Sequence, residues 1–331
     1  MKTVAFFNNK GGVGKTSLVY HLAWMYAEQG LRVLAVDLDP QANLTSMFLG
    51  EDRLEDLWPD GDHPETIYGA IFPILRGVGD INPPHVENLS DCLGLIPGDL
   101  GLSRFEDKLS DAWPRCHNRD EAAFRTMTAF HRLTYSGAER CNADIVLMDV
   151  GPNLGAINRA ALIAANHVVV PLGADLFSLQ GLKNLGPVMR DWQEIWTSLL
   201  SKAPNDMNVP KGQMEPIGYV VSQPGMRESR PVKAYQRWVD RIPVIYRQFV
   251  LNEDVEGAVP KPENDPHALA LLKNYRSLMP MAMDVRKPMF ALKSSDGAIG
   301  AHIEAVHKCR EDFLLLATKI AEKVGVSLNK S

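Results

Sequence analysis

The sequence predicts an α/β fold: a doubly wound, mainly parallel sheet with helices on both faces. Three observations predict it. Short, nearly continuous apolar runs recur along the chain, longer helical patterns separate them, and a glycine-rich turn joins the first run to the first such pattern. Strands covered on both faces read as unbroken apolar runs, and strands alternating with helices signal a parallel sheet.

The elements follow in order. Val4-Ala5-Phe6-Phe7 is the first strand, and Leu18 to Ala27 carries the helical periodicity after it. Arg32–Asp37, Leu93–Pro97, Ala143–Asp149, His167–Leu172 and Pro216–Val221 are five further strands of the same type. Helices are expected over 155–165, 178–200, 264–279 and 301–324. Residues 51–92 are rich in Asp, Pro and Gly and read as an insertion of loops and short helices. Residues 202–215, polar and proline-bearing, read as an excursion on the sheet's edge. No repeat, low-complexity tract or linker divides the chain, so residues 1–331 are expected to form one domain with these two insertions.

Composition narrows the function. The chain has 331 residues, 45% of them hydrophobic and 23% charged, with a net charge of -5. It is no bulk polycation, so binding to nucleic acid would need a local patch. Cys92, Cys116, Cys141 and Cys309 show no C-x-x-C spacing and read as reduced thiols rather than a metal site or disulfide set. No apolar run approaches the roughly 18 residues a membrane span needs. The first strand starts at the N-terminus, leaving no room for a signal peptide, so a cytoplasmic protein is expected.

Asn9-Lys10-Gly11-Gly12-Val13-Gly14-Lys15-Thr16-Ser17 sits between the first strand and the first helix. That context is what a phosphate-binding loop requires. Glycines let successive N–H groups turn inward on one anion, and the helix start adds its positive dipole end. Gly11, Gly12, Val13, Gly14, Lys15, Thr16 and Ser17 would cradle the phosphates of a nucleotide. Lys15 would reach the β- and γ-phosphates and the Thr16 hydroxyl would hold Mg²⁺. Asp37 and Asp39 end the second strand, at the edge of the ligand crevice of such a sheet. Asp149 ends the Ile145–Met148 run, the place for a Mg²⁺-binding carboxylate.

The KGGVGKT arrangement, with Lys10 ahead of the glycines, resembles the deviant Walker A loop of the ParA/MinD family of ATPases. Asp37-Leu38-Asp39-Pro40-Gln41-Ala42-Asn43 is similar to that family's switch I. Asp149 with Gly151-Pro152-Asn153-Leu154-Gly155 resembles its switch II, Gly151 replacing the usual first proline and loosening the turn. Leu95–Leu100 and the segment from Val168 to Leu182 extend the likeness from residue 2 to about 190. The resemblance implies that Lys10 reaches a partner subunit's nucleotide, that Asp39 activates the hydrolytic water, and that Asp37 supports Mg²⁺ through its water shell. It implies an ATPase that dimerises on ATP, binds DNA non-specifically and is reset by hydrolysis, in plasmid or chromosome partition or cargo positioning. A ParB-like or other stimulating partner and nucleoid association follow from the same resemblance.

Residues 225–249 carry Arg227, Arg230, Lys233, Arg237, Arg241 and Arg247 against Glu228 and Asp240. They are the candidate DNA surface; a solvated helix face reads the same way. Two alternatives stand beside partition. A MinD-like membrane-associated ATPase would need a strongly basic amphipathic tail, which residues 324–331 lack, so no stable membrane association is expected. A ParA-like regulatory or defence ATPase has the same motifs. Arg286-Lys287-Pro288 looks like the family's segment near the nucleotide base, and by itself is a helix exit before proline.

Overall fold

The computed structural model describes residues 1–222, 232–273, 275 and 277–328. Its strands are β1 (Lys2–Phe6), β2 (Val33–Leu38), β3 (Glu87–Ser90), β4 (Leu93–Ile96), β5 (Ile145–Val150), β6 (His167–Gly173), β7 (Glu215–Ser222) and β8 (Ala268–Leu272). The α-helices are α1 (Lys15–Glu28), α2 (Asn43–Phe48), α3 (Glu51–Leu57), α4 (Ile67–Arg76), α5 (Phe105–Arg115), α6 (Glu121–Met127) and α7 (Ala129–Arg140). They continue with α8 (Ala156–Ala164), α9 (Leu176–Leu200), α10 (Val232–Val239), α11 (Ile242–Ile245), α12 (Leu278–Asp284) and α13 (Ala301–Val324).

The strands form one sheet in the order β3-β4-β2-β5-β1-β6-β7-β8. Every pairing described is parallel except β3 with β4. Side chains of a strand alternate between faces, and the core divides accordingly. Ala5 of β1 and Phe7 just beyond it pack among α4 to α9, whereas Val4 and Phe6 pack among α1, α2, α12 and α13. The apolar face of α13 is buried through Val306, Phe313, Leu316, Ala317, Ile320 and Val324. The Tyr26 hydroxyl ties α1 to it by donating to the Ala317 carbonyl at 2.9 Å.

Two expectations are corrected. The helix expected over 264–279 is β8 followed, from Leu278, by α12. Ala268-Leu269-Ala270-Leu271-Leu272 favours helix by propensity, but the open edge of β7 offers unpaired backbone groups that capture it as a strand. The 202–215 excursion feeds β7, which is paired on both sides, so it does not lie along an edge strand. The 51–92 segment holds α3 and α4 as expected, and also β3, a polar strand on the sheet's margin.

Helix α9 lies so close to the Tyr246–Leu251 segment that a Cβ at Gly186 would stand 1.8 Å from the Phe249 carbonyl oxygen. Backbone cannot give way as a side chain can. Gly186→Ala should therefore destabilise the fold by about 3 kcal/mol, the upper end of overpacking costs. Urea denaturation of the two proteins would measure it.

Candidate nucleotide site

Strand register assembles the site. Phe6 pairs with Asp149, and Asp149 pairs with Asp37 on its other side. The loop leaving β1, the turn leaving β2 and the turn leaving β5 therefore meet at one end of the sheet. β1 lies between β5 and β6, and the chain runs from it to β2 on one side and from β5 back across it to β6. Ligands of open α/β sheets lie at such a divergence, beyond the strands' carboxyl ends.

Residues 7–14 curl from β1 into α1. Gly12 and Gly14 take φ of 72° and 87°, which L side chains rarely adopt. Asn8 pins the loop from behind: its Nδ2 donates to the Pro171 carbonyl at 2.6 Å and its Oδ1 accepts the Lys10 N–H at 3.0 Å. A Cβ on Gly11 or Gly12 would meet nothing within 4 Å, so the loop's exposed side is open to an anion. Val13 is buried, Thr16 and Ser17 are half-buried, and Lys15 is buried with its Nζ 3.5 Å from the Lys10 carbonyl. Burial lowers the Lys15 pKa, and the charges of Asp149 and Asp39 oppose that.

The carboxylates differ in what they hold. Asp149 is fully buried, and neither of its oxygens has a hydrogen-bond partner. Burial, then the charges of Asp37 and Asp39, push its pKa well above the usual range; the Thr16 hydroxyl and Lys15 act the other way. A buried carboxylate without donors is costly unless a proton or cation meets it. Its hard oxygens, with the Thr16 hydroxyl beside them, suit Mg²⁺. Asp37 is already engaged. Its Oδ2 accepts the Thr45 N–H at 2.9 Å and the Thr45 hydroxyl at 2.7 Å, and its Oδ1 accepts the Asp39 N–H at 3.3 Å. Burial nonetheless raises its pKa to about 7 against those bonds. Asp39 is buried, with Oδ1 accepting the Gln41 N–H at 3.0 Å.

Lys10 turns to its own chain. Its ammonium pairs with Asp175, whose other oxygen caps α9 by accepting the Ser178 N–H at 2.9 Å. Asp175 was not singled out in the sequence; a D-x-x-S helix start was its only local signal. A cavity of about 220 Å³ opens beside the loop, lined by Gly14, Ser17, Ser222, Lys273, Tyr275 and Met289 among others. His21, also unmarked in the sequence, braces its wall. The ring is fully buried and stacks on Phe313 at 4.9 Å. Nδ1–H donates to the Ser17 carbonyl at 2.6 Å, and Nε2 accepts the Met289 N–H at 3.1 Å. Met289 follows Lys287-Pro288, so this bond ties that segment to the loop's helix; Lys287 itself pairs with Asp296 and Arg286 lines a separate cavity.

Of the basic candidates, Arg227 and Arg230 lie outside the described residues, as does the side chain of Lys233. Arg237 and Arg241 are exposed and stand 5.3 and 5.5 Å from the Trp238 ring. Arg247 leaves the set: it is 13% exposed and bonds both oxygens of Asp265, at 2.5 and 3.1 Å. Among the described residues no helix is long and apolar enough to cross a membrane.

A parallel sheet whose first loop is a glycine cradle, with a lysine inside it and a bare carboxylate one strand away, defines the P-loop class of nucleotide-binding proteins. Residues 1–201 match the family profile described as an AAA domain, and the chain belongs to that family, with the ParA/MinD-type P-loop ATPases. It is 34% identical over 185 residues to the protein IncC of Escherichia coli, 56% of this chain and 44% of that one. It is 32% identical over 186 residues to the chromosome partitioning protein ParA of Caulobacter vibrioides, 56% of this chain and 61% of that one. The matched stretch is thus about half the length of these relatives. The fold as a whole resembles that of a Cyanothece McdA variant in complex with ATP, with a TM-score of 0.62 at 16% identity over 99% of this chain and 97% of that one.

His21 has a consequence for pH. Burial, opposed by the Ser17 carbonyl, lowers its pKa from 6.5 to about 4. A histidine that resists protonation only when folded leaves stability intact above pH 6.5 and erodes it as pH falls toward 4. The full effect is about 3 kcal/mol. His21→Phe should remove that share of the acid sensitivity, checked by denaturant unfolding at about pH 7 and about pH 4.5.

Proposed function

We propose that the chain is a Mg²⁺-dependent ATPase that closes into a homodimer on ATP, binds DNA without reading sequence and is reset by hydrolysis. Its service would be plasmid or chromosome partition, or the positioning of another cargo with a stimulating partner. One observation carries the reading: an open amide cradle and a buried lysine face a buried carboxylate that has no partner of its own.

In this reading residues 9–17 wrap the triphosphate and Lys15 neutralises its outer phosphates. The base enters the cavity beside Ser222 and Tyr275. Thr16 and Asp149 would hold Mg²⁺, with Asp37 behind them fixing the turn through Thr45. When bound, the ion neutralises charge on the β- and γ-phosphates. Asp39 orients the attacking water. Lys10 must leave Asp175 to reach a second subunit's phosphates, which ties dimer closure to rearrangement at the start of α9. Exposed Arg237 and Arg241 support a phosphate-contacting surface. The partition reading draws on the names of the relatives. A MinD-like membrane role would have to rest on Ile303, Leu314 and Leu315, the exposed apolar residues of α13, because Phe313, Leu316, Ile320 and Val324 are buried in the core.

Binding of a fluorescent ATP analogue and phosphate release test the enzyme. Lys15→Ala should abolish binding, whereas Asp39→Ala should bind normally and turn over at least about 100-fold more slowly. An Asp39→Ala protein hydrolysing at the wild-type rate would remove that residue from the mechanism. Gel shifts on arbitrary duplex DNA should show binding with ATP, none with ADP, and steep loss on raising salt from about 50 to about 200 mM, as counterion release requires. ATP-independent binding would refute the DNA cycle.

A further inference from the structure

Helix α8 begins just beyond the turn that leaves β5. Its N-cap, Gly155, has no side chain to offer, and Glu106 supplies the cap from α5 by accepting the Ala156 and Ile157 N–H groups at 2.5 and 2.9 Å. One turn further in, Asn158 is 1% exposed and reaches back over the turn. Its Nδ2 donates to the Gly151 carbonyl at 2.9 Å and to the Asn153 carbonyl at 2.6 Å. Carbonyl oxygens only accept, so the amide nitrogen must face them and the amide cannot be flipped. Its oxygen therefore points the other way, buried and without a donor.

Gly151 shows where that oxygen lies. A Cβ at this glycine would be 3.4 Å from Asp39 Oδ1 and 3.6 Å from Asn158 Oδ1. Two acceptors, one carboxylate and one amide, flank the same side of Gly151, with no more than van der Waals spacing between them and a Cβ there, so a water reaches the buried Asn158 oxygen only when the turn shifts as the nucleotide binds. A proline here would cover that side with its ring. With glycine no ring occupies that side, and the two Asn158 bonds tie the turn to α8. A buried acceptor left without a donor is costly, a cost relieved when a donor arrives.

We propose that Asn158 Oδ1 and Asp39 together hold the water that attacks the γ-phosphorus. The inference rests on the ATPase reading above. A water has two protons to donate and a lone pair to aim, and two fixed acceptors set the direction of that lone pair. In the step, the water oxygen forms a bond to the γ-phosphorus while the bond to the β,γ-bridging oxygen breaks, its electron pair leaving on ADP. The water proton passes by way of Asp39 to the released phosphate. Asn158 takes no proton.

The test is a double-mutant cycle on the purified full chain: Asn158→Ala, Asp39→Ala and both together. It measures kcat at saturating ATP and the Kd of a fluorescent ATP analogue. Asn158→Leu, close in volume, carries the comparison if the alanine variant fails to fold. The single Asn158 variants should lower kcat about 10- to 100-fold with Kd within about threefold of wild type. The double variant should be no slower than Asp39→Ala alone, because both residues act on one water. Wild-type turnover in the Asn158 variants overturns the inference. So does a double variant slowed by the full extra factor, or a Kd that weakens as much as kcat, since either marks a purely structural role. A wild-type protein that neither binds nor hydrolyses ATP would instead sink the underlying reading.

Discussion

The uncompensated buried charge at the ends of β2 and β5 is the constraint on which the rest depends. Asp37, Asp39 and Asp149 converge there, with Lys15 as their nearby cation. Burial, reinforced by the neighbouring carboxylates, raises the pKa of Asp37 and of Asp149, and strand register fixes the crowding, since the two are directly paired. The protein resolves the strain differently at each carboxylate. Thr45 satisfies Asp37, the turn at Gln41 satisfies one oxygen of Asp39, and Asp149 is left bare. In the proposed function a triphosphate with its divalent ion would bring the missing positive charge to that carboxylate and negative charge to the amide cradle and Lys15. The site is thus poised for a ligand of mixed sign rather than a simple anion.

The surroundings of that charge are built to hold still. Asn8 joins the loop to β6, His21 joins α1 to the Met289 segment, and Glu106 caps α8 from a different helix. Each bond spans parts of the chain far apart in sequence. Backbone amides and carboxylates held by such cross-links do not need to reorganise when a charge arrives, which is the source of electrostatic advantage in a site of this kind.

That separation explains what could be read in the sequence. The strands expected from apolar runs are paired on both sides and covered on both faces, so those runs were plain. β3 is polar on the margin and β8 is written in helix-favouring residues, so both depended on the partner strand and escaped. The loop at 9–17 was legible because its chemistry is contiguous: glycines, lysine and hydroxyl in one turn. The roles of Asp175, His21, Glu106 and Asn158 were not, because each is defined by a contact that composition does not announce. Asp175 meets Lys10 across 165 positions, and His21 meets Met289 across 268. Arg247 failed in the opposite sense, since a basic residue in a basic run gave no hint of the buried Asp265 that claims it.

The strength of the Lys10–Asp175 pair bears on the proposed cycle. The two side chains are 30% and 35% exposed, and ion pairs open to solvent to this degree contribute about 0–1 kcal/mol. Asp175 does not need Lys10 to stay in place, because the Ser178 N–H already holds its other oxygen. The ammonium is therefore parked against a fixed carboxylate by an interaction too weak to trap it. A phosphate carrying more than one negative charge, presented in a dry interface, outcompetes a half-solvated carboxylate for the same ammonium. The pair thus keeps Lys10 from being left unpaired beside the loop, yet would add little to the barrier for the proposed closure. In the proposed cycle the nucleotide's charge, rather than the release of a stiff latch, would decide when two copies come together.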